Sequence, residues 1–197
     1  MNAGPRNVVP LSIDMSAVVR RSVASLYSHL VTRPTGQALR MGIESQLSEL
    51  GEHCVSILDF TGVVVLDYSC ADEAVAKLIL RYQRADRPTD AYFIARGVAE
   101  QHLEPIEAVL ARHALVLVAE VIDSGYELIG PVPEVERAAW NTVQELSNVL
   151  PKEVAARVHC SESAAAEALE ALANRRALAR SGASYLSLSS ILAHRSE

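Results

Sequence analysis

A serine framed by acidic residues is the position in this sequence best suited to reversible chemistry. Ser69 lies two residues after Asp67 and shortly before the acidic pair Asp72 and Glu73. Ser69 therefore suits the N-cap of a helix predicted over residues 71–82, and the acidic pair suits the positive end of that helix. A phosphate on Ser69 would be attracted by the free N–H groups of the helix end and repelled by the neighbouring carboxylates. Ser69, Asp67 and Asp72 thus form a candidate phosphorylation or partner switch, and a plain N-cap serine is the simpler alternative.

A second polar segment, TRPTG at residues 32–36, directly precedes a helix predicted over residues 37–50. Thr35 or Gly36 is expected to cap this helix, and Arg33 is placed to hold an anion beside its N-terminus. Arg33, Thr35 and Gly36 are therefore a candidate anion-binding site. Loop and capping chemistry alone is the alternative.

Near the end of the chain, residues 161–174 predict a helix that is followed by basic residues. The candidates for contact with DNA or a partner are Ser163, Arg175, Arg176 and Arg180. Glu167 and Glu170 fall on the predicted outer face, where a helix that reads DNA needs positive charge. Arg175 and Arg176 also suit the negative end of the helix. DNA binding and protein-only binding therefore stay open as equal alternatives.

Sequence signatures of catalysis and metal binding are missing. The chain has no dinucleotide, P-loop or nucleophile-elbow motif, and its six histidines lack the spacing of zinc ligands. Four acidic residues are a further candidate for a metal or acid/base site at the sheet edge, with a solvated acidic edge as the commoner case: Asp59, Asp67, Asp72 and Glu73. The three cysteines lie far apart and are expected to be small buried residues. We expect no catalytic residue, no metal and no cofactor.

Strands and helices alternate through the first 130 residues, which predicts a mainly parallel sheet with helical crossovers. The predicted strands are residues 8–13, 25–31, 54–60, 91–95, 115–122 and 126–129. The predicted helices are residues 37–50, 71–82 and Glu100–Arg112.

The sequence GPVP at residues 130–133 predicts a domain boundary, with one domain over residues 1–132 and a second over residues 133–197. The second part is predicted to hold three helices and a hairpin. The helices are Glu134–Leu146, Pro151–Val158 and residues 163–173, and the hairpin strands are residues 177–180 and 184–188. This layout is typical of a small α+β winged helix-turn-helix domain.

Charge and composition describe an ordinary folded protein. The 197 residues include 18 basic and 24 acidic ones, a net charge of −6, and half of the residues are hydrophobic. Residues 133–197 hold 7 basic and 8 acidic residues, so nearly all the net charge lies in the first 132 residues. No signal peptide or bilayer-spanning run is recognised, so we expect a cytoplasmic protein without a membrane partner.

At residues 56–80, SILDFTGVVVLDYSCADEAVAKLIL, the chain resembles the STAS family of sulphate-transporter and anti-sigma-antagonist domains, more closely its bacterial STAS-like branch. The shared pattern is an apolar strand ending in DF, a loop with GV, a second apolar step to Asp67, and a serine-containing turn into a helix. In anti-sigma antagonists this turn reads Asp-Ser-Ser-Gly, and a partner kinase phosphorylates its second serine. The resemblance implies that Ser69 takes this position, with Cys70 in place of the family's glycine.

The resemblance covers about residues 8–130, whereas residues 133–190 resemble a winged helix by layout only. Together they imply a non-enzymatic bacterial regulator that receives a signal from a kinase-like or regulatory protein and acts on transcription. The alternatives are a scaffold whose winged helix binds protein rather than DNA and, less favoured, a small-ligand-binding enzyme. A homodimer is a further option.

Overall fold

The computed structural model describes residues 20–50 and 53–193. Its main sheet has five strands: β1 (Arg20–Ser25), β3 (His53–Asp59), β5 (Asp90–Val98), β6 (Leu117–Val121) and β7 (Gly125–Ile129). They lie in the order β1-β3-β5-β6-β7; the first four are parallel, and β7 pairs antiparallel with β6. The predicted mixed α/β class with a mainly parallel sheet is confirmed. The strand predicted over residues 8–13 lies outside the described residues.

Two central strands are apolar along almost their whole length. In β3, every side chain from Cys54 to Leu58 is buried, and in β5 the same holds from Ala91 to Ala95. A continuous apolar run is expected where both faces of a strand are covered. The sheet must therefore be packed on both sides.

Helices from the first part of the chain cover one face. They are α1 (Arg33–Leu50), α2 (Tyr68–Ala71) running through a π-helical segment (Asp72–Ala76) into α3 (Lys77–Gln83), and α4 (Glu100–Arg112). One hydrophobic cluster joins them to the sheet, including Leu47, Tyr82 and Leu110. The two helices predicted over residues 37–50 and 71–82 exist, but both begin earlier than expected.

The last third of the chain covers the opposite face. It contains α5 (Glu134–Leu146), β8 (Asn148–Val149), α6 (Pro151–Val158), α7 (Glu162–Asn174), β9 (Leu178–Ser181), β10 (Ser184–Ser187) and α8 (Leu188–Ala193), with a small sheet in the order β8-β10-β9. We call residues 134–193 the C-terminal module. Its Trp140 and Leu169 share a hydrophobic cluster with Val55 and Ile94 of the main sheet. The division at residue 132 stays a prediction, and the two parts share a core.

The strand predicted over residues 25–31 is divided. β1 ends at Ser25, and a short second strand, β2 (His29–Leu30), pairs in parallel with β4 (Val65–Leu66). This two-stranded sheet lies directly before α2, so it adjoins the turn that holds Ser69. Among the described residues no helix has the length and apolar character needed to cross a membrane.

Candidate functional site at the Ser69 turn

The residue that caps α2 is Asp67, not Ser69, which corrects the sequence-based expectation. One carboxylate oxygen of Asp67 accepts the backbone N–H of Cys70 at 2.7 Å and the hydroxyl of Ser69 at 2.9 Å. An aspartate satisfies free N–H groups at a helix start as well as a serine does and adds a favourable charge. Ser69 therefore lies inside the first turn, half-buried, with its hydroxyl directed at the capping carboxylate.

The second oxygen of Asp67 reaches a different part of the chain. It accepts the backbone N–H of Thr32 at 2.9 Å and so ties the segment before α1 to the start of α2. Burial alone raises the pKa of Asp67, but the hydrogen bonds from Thr32, Cys70 and Ser69 outweigh it and hold the pKa below its ordinary value. Asp67 is therefore a charged link between two elements.

Asp72 and Glu73 lie in the π-helical segment and are each only 5% exposed, so they are not the solvated acidic edge that the sequence suggested. The Arg33 guanidinium donates to Asp72 at 3.1 Å and to Glu73 at 2.7 Å. Lys77 lies 2.5 Å from Glu73, and the His113 ring lies 2.8 Å from Asp72. Buried carboxylates need such partners because an unpaired charge is costly to desolvate.

These partners determine how the buried pair titrates. Burial raises the pKa of Asp72 and of Glu73, but in each case the hydrogen bonds and nearby cations prevail and the pKa lies below its ordinary value. His113 and Arg33 are the main opposing partners of Asp72, and Lys77 and Arg33 are those of Glu73. Both carboxyls are therefore ionised at neutral pH.

The predicted anion-site residues are engaged within the protein. Arg33 pairs with the two carboxylates, although half of its side chain is exposed. Because α1 begins at Arg33, Thr35 and Gly36 lie in its first turn and do not cap it, and the Thr35 hydroxyl lies 3.1 Å from that of Thr32. Gly36 is buried at the crossing with α2, where an added Cβ would lie 2.7 Å from the Cys70 carbonyl oxygen.

Exposed apolar side chains surround the Ser69 turn. We call residues 27–31 and 64–68 the β2–β4 ribbon. Of nine large hydrophobic side chains that are exposed in the described part of the chain, five lie here: Tyr27, Val31, Val64, Val65 and Tyr68. Tyr27 is 68% and Val64 60% exposed, so these are outward-facing side chains rather than the rim of the core. A gathered apolar surface of this kind is typical of a protein-binding site.

Backbone hydrogen bonds hold the ribbon in place. The carbonyl oxygen of Ser28 accepts the N–H groups of Val64 at 2.7 Å and Val65 at 3.1 Å, and that of Leu30 accepts the N–H of Asp67 at 2.9 Å. The hydroxyl of Tyr68 donates to Glu104 on α4 at 2.7 Å. The exposed apolar groups are therefore presented on an ordered surface that is continuous with the Ser69 turn.

His102 also supports this surface. Its Nδ1 accepts the N–H of Ala99 at 3.1 Å, which leaves Nε2 to donate to the carbonyl oxygen of Val63, 2.9 Å away. The ring is 1% exposed and joins α4 to the loop before β4. In the ranges 20–50 and 53–193, no three histidine, cysteine or acidic side chains are grouped as a metal site. Asp59, which the sequence grouped with Asp67, Asp72 and Glu73, is paired with Arg96 of β5.

The two arginines after α7 face inward. Arg176 forms an ion pair with Asp90 of β5, donates to the carbonyl oxygen of Ala91 at 3.1 Å, and stacks over the ring of Tyr92 at 4.9 Å. Its side chain is only 10% exposed. Arg175 donates to Glu136 at 3.0 Å and to the Pro131 carbonyl oxygen at 2.7 Å. Both guanidinium groups thus join the C-terminal module to the rest of the protein instead of facing a partner.

The other two C-terminal candidates are on the surface. Arg180 is 58% exposed and pairs with Glu170 at 3.2 Å, and the Ser163 hydroxyl donates to Glu167 at 3.2 Å. The outer face of α7 therefore offers Glu167 and Glu170, and the neighbouring Arg180 of β9 is already neutralised in part by Glu170.

Sequence reasoning located the Ser69 turn but missed the ribbon beside it. The run VVVL at residues 63–66 resembles an ordinary core strand. A usable signal was the position of Gly62 directly before it, since only five residues separate this turn from the start of α2 at Tyr68 and leave no room for a long strand. Neither comparison of the sequence, with protein-family models or with curated proteins, gives a match.

Proposed function

We propose that this protein is a non-enzymatic bacterial regulator with a STAS-like part, residues 1–132, and a winged-helix part, residues 133–197. The STAS-like part binds a regulatory protein through the β2–β4 ribbon and the Ser69 turn. The observation that carries the proposal is the concentration of exposed apolar side chains on the ribbon around a half-buried serine. A cytoplasmic location fits this role.

Phosphorylation would act on the hydrogen bonds of Asp67. A phosphate on Ser69 would place about two negative charges beside a carboxylate that now lies 2.9 Å from the Ser69 hydroxyl. Repulsion would weaken two hydrogen bonds that Asp67 accepts: the one from Cys70 N–H, which caps α2, and the one from Thr32 N–H, which connects α2 to the segment before α1. The modification would therefore change the shape and charge of the partner surface without needing an active site.

For the winged-helix part, the surface favours protein contact over DNA. The module has α5, α6 and α7 followed by the β9–β10 hairpin, as a winged helix does. Its outer helix face carries Glu167 and Glu170, and Arg175 and Arg176 are occupied internally. DNA binding needs phosphate-neutralising side chains, so a scaffold or transcription factor partner is the better match. DNA contact through Arg180 is the second candidate.

The partner surface is tested by affinity capture from the native cell with the full chain. Val64→Asp places a charge on the ribbon and is expected to abolish capture of the partner that the wild type retains. Met41→Asp is the matched control, because Met41 is 58% exposed but lies on α1, away from the ribbon. Equal capture by both variants would contradict the proposal.

The DNA alternative is tested by a salt titration of DNA binding with wild type and Arg180→Ala. We expect no binding even at low salt, where phosphate contacts are strongest. Binding that weakens with salt and is reduced in Arg180→Ala would favour DNA over a protein-only role.

A further inference from the structure

One face of α4 carries carboxylates that the described part of the chain does not neutralise. Glu100, Glu104 and Glu107 are exposed, and their spacings of four and three residues place them in one row along the helix. We call these three residues the acidic stripe. None of them forms an ion pair with a side chain that the structure describes.

The acidic stripe is unfavourable for α4 itself. Negative charges at these spacings on a helix repel each other, and the positive end of the helix compensates only within its first turn. Glu100 is the first residue of α4, whereas Glu104 and Glu107 lie beyond that turn. The buried pair Asp72 and Glu73, by contrast, is surrounded by cations of the protein. The charge of the stripe is therefore left for a positively charged group from outside the chain.

The acidic stripe adjoins the β2–β4 ribbon. The hydroxyl of Tyr68 on the ribbon donates to Glu104 at 2.7 Å, so the middle of the stripe touches the apolar surface. The His102 ring, on the buried side of α4, fixes this helix to the carbonyl oxygen of Val63 in the loop before β4. An apolar centre with a charged rim is the usual anatomy of a protein interface. The ribbon and the stripe thus form one surface.

An open groove runs along the stripe. It is lined by the three glutamates and also by Leu103, Ala108 and Ala111. The two alanines are exposed, and their small side chains let the backbone of a second helix approach α4 closely. A helix laid into such a groove binds through apolar side chains on one face.

We propose that the segment of the partner protein that covers the ribbon is a basic amphipathic helix. Its apolar side chains pack on Val64, Val65 and Tyr68, and its lysine or arginine side chains face the acidic stripe. The same carboxylates repel nucleic acid and anionic lipid, which favours a protein segment as the occupant. This inference rests on the proposed partner function and adds the chemistry of the partner.

The test is photo-crosslinking in the native cell from a photoreactive residue at position 27 of the full chain. Glu100→Lys/Glu107→Lys reverses two charges of the stripe and keeps the bond between Tyr68 and Glu104. Glu162→Lys/Glu167→Lys is the matched control, since both residues are exposed on α7, on the opposite side of the main sheet, and Glu162 is also the first residue of its helix. The stripe variant is expected to lower the yield of the crosslinked partner at least about tenfold, and the control is expected to leave it unchanged.

Glu100→Gln/Glu107→Gln removes the same charges without reversing them and is expected to cause a smaller loss. Circular dichroism of the purified variants checks that the helices are intact. Mass spectrometry of the crosslinked peptide is expected to identify a segment rich in lysine or arginine.

The inference alone is overturned if one partner is crosslinked equally in the stripe and control variants, or if the crosslinked peptide is acidic. Those results leave the partner function of the ribbon in place. If no protein is crosslinked from position 27 in the otherwise unchanged chain, the partner function and the inference are both overturned.

Discussion

The Ser69 turn and the C-terminal end of α7 satisfy their charged groups in similar ways but present different surfaces. At the Ser69 turn, Asp67 accepts backbone hydrogen bonds, Asp72 and Glu73 are paired with cations, and apolar side chains face solvent beside them. At the end of α7, Arg176 is buried against the sheet, and the exposed face is polar. Charged residues in a sequence therefore locate a contact, but only the fold shows whether that contact is internal.

The largest expected effect is a loss of stability in acid, because carboxylates in both regions contribute to it. The pKa values of Asp67, Asp72, Glu73 and Asp90 are all held below their ordinary values. A lowered folded-state pKa stabilises the fold above the unfolded-state pKa, about 4, and this contribution is lost as the pH falls through the folded value. Urea unfolding is expected to show a lower midpoint at about pH 3 than at pH 7.

Arg33→Gln separates the contributions of the two regions to stability in acid, because it removes one cation from the Asp72–Glu73 pair and leaves Asp90 unchanged. The free energy of unfolding of the variant is expected to fall less steeply than that of the wild type between about pH 5 and pH 3. An unchanged slope would show that the Ser69 region contributes little to the acid effect.

Arg176→Ala is expected to cause the next largest loss, about 3 kcal/mol in the free energy of unfolding, because it leaves Asp90 without its closest cation. Arg180→Ala removes a pair that is mostly exposed and is expected to cost less than about 1 kcal/mol. Chemical denaturation of both variants measures the difference. Similar losses would contradict the internal role of Arg176.

Gly36→Ala is expected to destabilise the protein by about 2 kcal/mol, since the new methyl group would meet the backbone of Cys70. Gly42 lies in the same helix and faces open space. Gly42→Ala is therefore expected to stabilise the protein by about 0.5–1 kcal/mol. Thermal unfolding shows whether each variant unfolds at a lower or a higher temperature than the wild type. If both unfolding temperatures shift in the same direction, α1 and α2 do not cross closely at Gly36.

The smallest effects on stability are expected when a serine in the first turn of α2 or of α7 is replaced by aspartate. Ser69→Asp adds a charge beside Asp67 and is expected to cost about 1 kcal/mol. Ser163→Asp adds a charge beside the exposed Glu167, where solvent screens the repulsion, and near the N-terminus of α7, whose cap is the neutral Ser161. The two effects oppose each other, so the change is expected to be close to neutral. Equal unfolding midpoints for the two variants would remove the physical basis of a switch at Ser69.

Local patterns predicted most of the helices and strands. The helices Glu100–Arg112, Glu134–Leu146 and Pro151–Val158 have the predicted bounds, because apolar periodicity and terminal residues specify them. The prediction of one strand over residues 25–31 was wrong, because β1 ends at Ser25 and the backbone pairs with another strand again only at His29. Two-residue strands carry too short a pattern to be recognised.

The site was predictable only in its position. The Ser69 turn follows from its sequence, but the partners of its carboxylates do not, since Arg33 precedes Asp72 by 39 residues. The burial of Arg176 likewise depends on Asp90, which is 86 residues away. Such pairings are set by how the elements pack, and no local pattern encodes them.

Binding of a regulatory protein to the β2–β4 ribbon is best tested by in-cell photo-crosslinking with a photoreactive residue at position 27, on the ribbon, or at position 41, on α1. We expect one protein to be crosslinked from position 27 and not from position 41. Crosslinking of the same proteins from both positions, or of none from position 27, would contradict it.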